Sequence, residues 1–120
     1  MTVTPMQVEA RLLQLSKEVD EAQFALNDAE KQYFTTKAEY EIALAYSRKN
    51  MMGARTEAGK SLTATEREDL ALLENEDLHK LMASAEILVR ACRGNVARIR
   101  EQVDIARSIG TSVRSSLDVQ

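Results

Sequence analysis

An uninterrupted heptad repeat runs along the first part of the chain and restricts its fold more than any other feature. Apolar or small residues recur at alternating spacings of four and three residues from Val8 to Ser47. The repeat comprises Val8, Leu12, Leu15, Val19, Ala22, Leu26, Ala29, Tyr33, Thr36, Tyr40, Ala43 and Ser47. A 3.5-residue period of this length predicts a long helix that packs along its length against another helix.

The ends of this first helix carry recognisable signals. Thr4 can cap the helix, Pro5 suits the first helical position, and Gln7 can complete a capping box. Gly53 suits the residue that follows a helix. The sequence therefore predicts helix 1 over about residues 5–52.

A second long helix is predicted after a loop at about 53–63. Thr63 with Glu66, or Thr65 with Glu68, can form a capping box at its start. The apolar series is Leu70, Leu73, Leu81, Ala85, Leu88, Cys92, Val96, Ile99, Val103 and Ala106. We predict helix 2 over about 64–109 and a frayed or short helical tail at 110–120.

The spacing of the second series changes to four, four and three around Val96, which predicts a stutter that locally unwinds the supercoil. Gly94 lies in this stretch. A glycine inside a helix costs about 1 kcal/mol relative to alanine. We expect a close approach between helices to explain it.

Composition supports an all-α protein. The 120 residues include 1 proline, 4 glycines and only 4% aromatic residues, against 44% hydrophobic and 29% charged residues. These proportions are typical of long helices and coiled coils. We predict one domain, an antiparallel two-helix coiled-coil hairpin.

Apolar residues outside the predicted seam indicate self-association. Two helices alone would leave this second series exposed, so we expect copies to assemble into a helical bundle or ring. A different protein could cover the same surface instead. The predicted oligomer interface comprises Phe34, Ala38, Ile42, Ala45, Leu72, Leu78, Met82 and Val89.

The sequence offers little chemistry for catalysis. His79 is the only histidine and has no cysteine at metal-ligand spacing. Cys92 belongs to the apolar series of helix 2, so we predict that it is a small buried residue. We therefore expect a protein that is not an enzyme, with no metal, cofactor or small-molecule substrate. With no apolar run long enough to span a bilayer and no signal peptide, we expect no membrane partner and a cytoplasmic location.

Cations and one aromatic ring cluster near the predicted loop. These residues are Tyr46, Arg48, Lys49, Arg55 and Lys60. Cations with a ring can bind single-stranded nucleic acid by phosphate attraction and base stacking. The alternative is an ordinary solvated loop beside a helix end whose dipole favours cations.

The charge of the second half is also uneven. All six cations after residue 80 are arginines, namely Arg90, Arg93, Arg98, Arg100, Arg107 and Arg114. They could contact phosphate, or they could pair with the acids of helix 1, namely Glu9, Glu18, Asp20, Glu21 and Asp28. The acidic stretch Glu66–Asp77 could be a solvated face or could bind a basic protein.

The layout resembles the UvsY family of T4-type phage recombination mediators. A heptad helix ends in Ala43-Leu44-Ala45-Tyr46-Ser47-Arg48-Lys49, a basic glycine-containing loop follows, and the second helix closes with Ala97-Arg98-Ile99-Arg100 and Ile105-Ala106-Arg107. The resemblance implies an oligomer of helical hairpins that binds single-stranded DNA and helps load a recombinase while single-strand-binding protein is displaced. Arg48 and Lys49 occupy the place of the family's DNA-binding segment. The setting would be the cytoplasm of an infected bacterium.

Three hypotheses for function follow. The first is a phage-type accessory protein that binds single-stranded DNA as an oligomer and assists recombinase loading. The second is a helical protein-interaction module, such as a phage-encoded inhibitor or scaffold that binds a host protein without nucleic acid. The third is a purely structural coiled coil.

Overall fold

The structure is a computed structural model that describes residues 2–119, and its regular secondary structure there is helical. Helix α1 spans Pro5–Asn50, α2 spans Ala64–Glu74 and α3 spans Glu76–Val119. Outside the helices, the described residues contain one isolated antiparallel bridge, between Arg55 and Ser61. The prediction of an all-α chain is confirmed.

The helix starts follow from local hydrogen bonds. The Thr4 hydroxyl accepts from the Gln7 N–H at 3.2 Å, and the Gln7 side chain accepts from the Thr4 N–H at 2.9 Å. This is the predicted capping box, which satisfies donors that a helix N-terminus leaves unpaired. At the start of α2 the Thr63 hydroxyl accepts from the Glu66 N–H at 3.1 Å. Thr63 rather than Thr65 is therefore the cap.

Two compact units make up the chain. The first combines residues up to Ala29 with those from Val89 onward, and the second is Glu30–Leu88. In the first unit, the start of α1 lies beside the end of α3, because Val8 is next to Gly110. Gln23 is bonded to Arg100 at 3.3 Å further along both helices. The two segments of this unit therefore run antiparallel.

The second unit is built in the same way. Asn75 is bonded to Ser47, while the ring of His79 lies 5.4 Å from that of Tyr40. Residue numbers rise from 75 to 79 on one segment while those of their contacts fall from 47 to 40 on α1, so the two segments are again antiparallel. Tyr40, Leu44 and Ala71 form the buried centre of the unit, and the partly buried Met51, Leu78 and Met82 pack against it.

The predicted α1 seam is confirmed along its whole length. Every one of its residues is buried or half-buried, from Val8 to Ser47. Leu15 is the most enclosed large side chain, at 1% exposure. The repeat is readable from the sequence because no competing apolar series of equal length runs along this helix.

The α3 seam differs from the prediction. The buried and half-buried series alternates by three and four without a stutter: Asn75, Leu78, Met82, Ala85, Val89, Cys92, Val96, Ile99, Val103, Ala106, Gly110 and Val113. The predicted stutter is therefore wrong. Four leucines that the sequence assigned to the seam are exposed, namely Leu70, Leu73, Leu81 and Leu88. Choosing the strongest apolar residues was wrong in the first part of the series, whereas from Cys92 to Ala106 every predicted seam residue is buried or half-buried.

The helix bounds also differ from those expected. The predicted helix 2 is divided into α2 and α3 at Asn75, whose φ of −109° and ψ of 23° depart from helical values. Its N–H still reaches the carbonyls of Leu72 and Leu73. At the other end, α3 runs through Gly110 to Val119, beyond the predicted end at about 109. The half-buried Val113 extends the seam there. Gln120 lies outside the described residues.

The close helix approach that was predicted at Gly94 is not found there. A Cβ at Gly94 would meet nothing within 4 Å, so close helix packing does not explain that glycine. A Cβ at Gly110 would lie 3.0 Å from Cγ1 of Val8. The close approach therefore occurs at Gly110, in the seam of the first unit.

Candidate functional site

The predicted basic patch lies at the end of α1 and in the segment before α2. This segment is an ordered turn: the Gly59 N–H donates to the Thr56 carbonyl at 2.9 Å, and the Thr56 N–H to the Lys60 carbonyl at 2.7 Å. Gly53 and Gly59 have φ values of 81° and 79°, a region that favours glycine. The turn therefore holds its cations in defined positions.

Arg48 is the member of the patch that the structure places differently from expectation. Its guanidinium forms two hydrogen bonds with the carboxylate of Glu68, one from Nε at 2.9 Å to Oε2 and one from Nη2 to Oε1. This bidentate hydrogen bonding raises the pKa of Arg48 and lowers that of Glu68. A cation held in this way by a carboxylate is less available to phosphate.

The other members of the patch remain accessible. Tyr46, Lys49, Arg55 and Lys60 are all exposed. Arg55 donates to the Gly59 carbonyl at 3.0 Å, which ties its side chain to the turn. None of the three cations forms an ion pair with a residue in 2–119. The structure thus leaves three cations and one ring of the predicted patch open to solvent.

The predicted oligomer interface divides into two groups. Phe34 and Ile42 are 59% and 58% exposed, and Ala38 and Ala45 are exposed as well. These four residues lie at spacings of four, four and three, which places them on one face of α1. We call this set the α1 outer face. It is exposed to solvent.

The helix 2 members of that predicted interface are mostly internal. Val89 is buried in the first unit. Leu78 and Met82 pack against the buried centre of the second unit. These three assignments are therefore corrected: the residues hold the chain together. Leu72 is exposed, at 40%.

The sequence did not predict the exposure of four apolar residues in α2 and α3. Leu73, Leu81, Ile87 and Leu88 are all exposed. Their signal was present in the sequence, because Leu81 and Leu88 are separated by one heptad. It was attributed to the seam.

The arginines of α3 form a regular row. Arg93, Arg100, Arg107 and Arg114 are seven residues apart, so they lie along one side of the helix. Arg100 donates to the Gln23 side chain and Arg98 to Asn95. Within residues 2–119, Arg98, Arg100, Arg107 and Arg114 form no ion pair with an acid of helix 1. Pairing with the acids of helix 1, one of the two alternatives that the sequence left open, is therefore not observed for these four.

A shallow groove of about 490 Å³ borders this row in the first unit. Leu12, Val19 and Val103 provide its apolar lining. Two arginines and two aspartates, Arg100, Arg107, Asp20 and Asp104, also line it. Balanced charge around a small apolar floor gives this groove no marked preference for an anion or a cation.

The single histidine and the single cysteine have ordinary surroundings. His79 is exposed beside the ring of Tyr40, and the Cys92 thiol is half-buried in the α3 seam. Residues 2–119 contain no cluster of three metal-binding side chains. None of the described helices combines the length and apolarity needed to cross a membrane.

Comparison with protein-family models, curated proteins and solved structures finds no match for this chain.

Proposed function

We propose that this protein is a non-catalytic helical binding module that acts as a homo-oligomer and binds another protein through the α1 outer face. In this proposal α1 pairs with α2 and α3 as a single antiparallel hairpin. Antiparallel pairing within each unit supports that arrangement, since α1 and α3 both contribute to both units. The hairpin supplies a rigid surface, and binding requires no bond chemistry.

The observation that carries this proposal is the exposure of Phe34 and Ile42. Both extend from the same side of α1 on which Ala38 and Ala45 lie, while the seam residue Tyr40 is buried. Aromatic and aliphatic side chains that project beside small residues suit the packing of an amphipathic helix from a partner. A few such side chains often contribute most of the binding energy of an interface.

The experiment compares three immobilised proteins: the natural chain, the double variant Phe34→Ser with Ile42→Ser, and the control Phe24→Ser. Phe24 is also exposed on α1 but belongs to the first unit, ten residues before Phe34, so it is not part of the α1 outer face. We expect host lysate to yield a retained protein with the natural chain and the control, and little of it with the double variant. Equal helicity of all three in circular dichroism would show that the surface alone has changed.

Two results would contradict the proposal. One is retention of the same proteins by all three chains. The other is a natural chain that remains monomeric at every concentration tested, which would remove the homo-oligomeric part.

A second candidate function is binding of single-stranded DNA, with the recombinase-assisting role that the resemblance implies. The exposure of Lys49, Arg55, Lys60 and Tyr46 favours it. Each phosphate contact that is lost should reduce the slope of log affinity against log salt by about 0.7 for single strands. The triple variant Lys49→Ala, Arg55→Ala and Lys60→Ala should therefore reduce this slope markedly.

Arg48→Ala should change the slope less than Lys49→Ala does, because Glu68 already binds the guanidinium. The measurement is fluorescence anisotropy of a labelled oligonucleotide over a salt series. Lys17→Ala, an exposed cation elsewhere on α1, is the control. An absence of binding at low salt would eliminate this candidate.

A further inference from the structure

The exposed side of α1 in the first unit carries a series of apolar and charged residues that the α1 outer face does not include. Leu13, Lys17, Asp20 and Phe24 are separated by four, three and four residues. They belong to one continuous helix and to one compact unit. Residues at these spacings lie along one side of a helix. We call this set the α1 stripe.

The side chains of the α1 stripe lack partners of their own kind within the chain. All four are exposed, and Leu13 and Phe24 are each 75% exposed. Neither Lys17 nor Asp20 forms an ion pair with a residue in 2–119. Asp20 and Arg100 line the same groove, yet no ion pair joins them. Both charges and both large apolar side chains can therefore meet another molecule.

The order of the α1 stripe is complementary to itself in the antiparallel direction. Its midpoint lies between Lys17 and Asp20, and Leu13 and Phe24 are each four residues from the nearer charge. Reversing the stripe therefore exchanges the cation with the carboxylate and the leucine with the phenylalanine. A two-fold axis through the midpoint produces this reversal. Parallel pairing in register would instead place each charge opposite its own kind.

We infer that a second copy of this chain packs antiparallel on the α1 stripe and forms a two-fold symmetric dimer. Lys17 faces Asp20 of the second copy, so two ion pairs lie at the centre. Leu13 faces Phe24 of the second copy, so one aliphatic–aromatic contact lies on each side of them. An unrelated protein would need a matching order of four side chains, whereas a second copy supplies that order by symmetry.

The size of this contact sets the expected strength of the dimer. The stripe extends over about 17 Å of each helix, from the rise per residue of an α-helix. A contact of this length between two single helices buries less than the roughly 1,200 Å² of a stable, specific interface. We therefore expect association that increases with protein concentration and reverses on dilution. The α1 stripe and the α1 outer face share no residue.

This inference rests on the homo-oligomeric part of the proposed function, so its test must separate the two. Sedimentation velocity over a concentration series follows the natural chain, Lys17→Glu, Asp20→Lys and an equimolar mixture of these two variants. Each variant alone places like charges opposite each other twice in the dimer. We expect each to weaken self-association about tenfold, from the usual sizes of exposed ion pairs.

The mixture of the two variants is the decisive measurement. One chain then carries two carboxylates and the other two ammonium groups, so both central pairs are restored in a heterodimer. The mixture should associate about as strongly as the natural chain. Glu39→Lys and Lys49→Glu make the same changes of charge outside the stripe. They should leave association unchanged, since both residues are exposed elsewhere on α1.

A further pair of variants tests the apolar contacts. Phe24→Ser should be monomeric with unchanged helicity, because the ring is exposed within the chain. Phe34→Ser, which removes an exposed ring from the α1 outer face, should still dimerise. Phe24→Ser should nevertheless retain the lysate protein that binds the α1 outer face, so partner binding is measured independently of the dimer.

The outcomes distinguish the inference from the proposed self-association. If the natural chain associates and Phe24→Ser associates equally well, or if mixing does not rescue the charge variants, the α1 stripe is not the interface and self-association stands. A natural chain that is monomeric at every concentration would overturn self-association and the stripe together.

Discussion

The side-chain amide of Asn75 donates a hydrogen bond to the Ser47 hydroxyl at 2.8 Å, and both residues are buried within the second unit. The same amide nitrogen also donates to the Ala71 carbonyl at 2.8 Å. A buried polar pair in an otherwise apolar seam favours the one alignment of the helices in which both partners are satisfied. We interpret this pair as the device that sets the register of α1 against α2 and α3.

Removing one partner of this pair should be costly. Asn75→Ala leaves the Ser47 hydroxyl buried without that bond, so we expect a loss of about 1–3 kcal/mol in the free energy of unfolding. The exposed Asn27→Ala serves as the matched control and should change it by less than about 0.5 kcal/mol. Urea denaturation provides the measurement, and equal losses in both variants would contradict the assigned role.

Two glycines of α3 should respond differently to alanine. At Gly94 the new methyl group meets no atom, so Gly94→Ala should stabilise the protein by about 1 kcal/mol through helix propensity. At Gly110 the same gain is opposed by a methyl group 3.0 Å from Val8 Cγ1. We therefore expect Gly110→Ala to gain less or to destabilise. Thermal unfolding of both variants decides this, and a larger gain at Gly110 would refute it.

The pair of leucines Leu13 and Leu15 offers a direct test of the α1 seam. Leu15 is 1% exposed and Leu13 is 75% exposed. Leu15→Ala should cost about 2–5 kcal/mol, since a buried leucine loses both its transfer energy and its packing. Leu13→Ala should cost less than about 0.5 kcal/mol. Similar costs at the two positions, measured by chemical denaturation, would mean that the heptad seam is misassigned.

The Arg48–Glu68 pair predicts a specific pH dependence. Hydrogen bonding from Arg48 lowers the pKa of Glu68 below its ordinary value of 4.5 in the folded chain. The folded state therefore binds this proton less readily than the unfolded state does. The contribution of the pair is present above the ordinary pKa and is lost as the pH falls through the lowered pKa of the folded state.

Glu68→Gln should consequently lower the urea midpoint at pH 7, and its difference from the natural chain should shrink in acid. Glu57→Gln, which alters an exposed turn carboxylate with no ion pair among the described residues, is the control. A difference between Glu68→Gln and the natural chain that stays constant from pH 7 into acid would show that the ion pair is not its source.

The sequence by itself determined that this chain is helical, where α1 begins and that the residues of its heptad series face a partner helix, although it did not include the buried Leu44. Those properties follow from local hydrogen bonds, such as that between Thr4 and Gln7, and from the 3.5-residue period of the apolar residues along α1. They can be read without knowing the partner helix. The exposure of Phe34 and Ile42 follows in the same way, because both lie off that rhythm.

Only the tertiary structure decided which face of α3 meets α1. Two apolar series compete there, one through Leu81 and Leu88 and the other through Met82 and Val89. Hydrophobicity alone favours the leucines, yet the structure buries the second series. The bond between Asn75 and Ser47 and the ion pair between Arg48 and Glu68 join residues distant in the chain, so their energies appear only once the helices are packed. The same packing leaves Leu81 and Leu88 exposed and reduces the availability of Arg48.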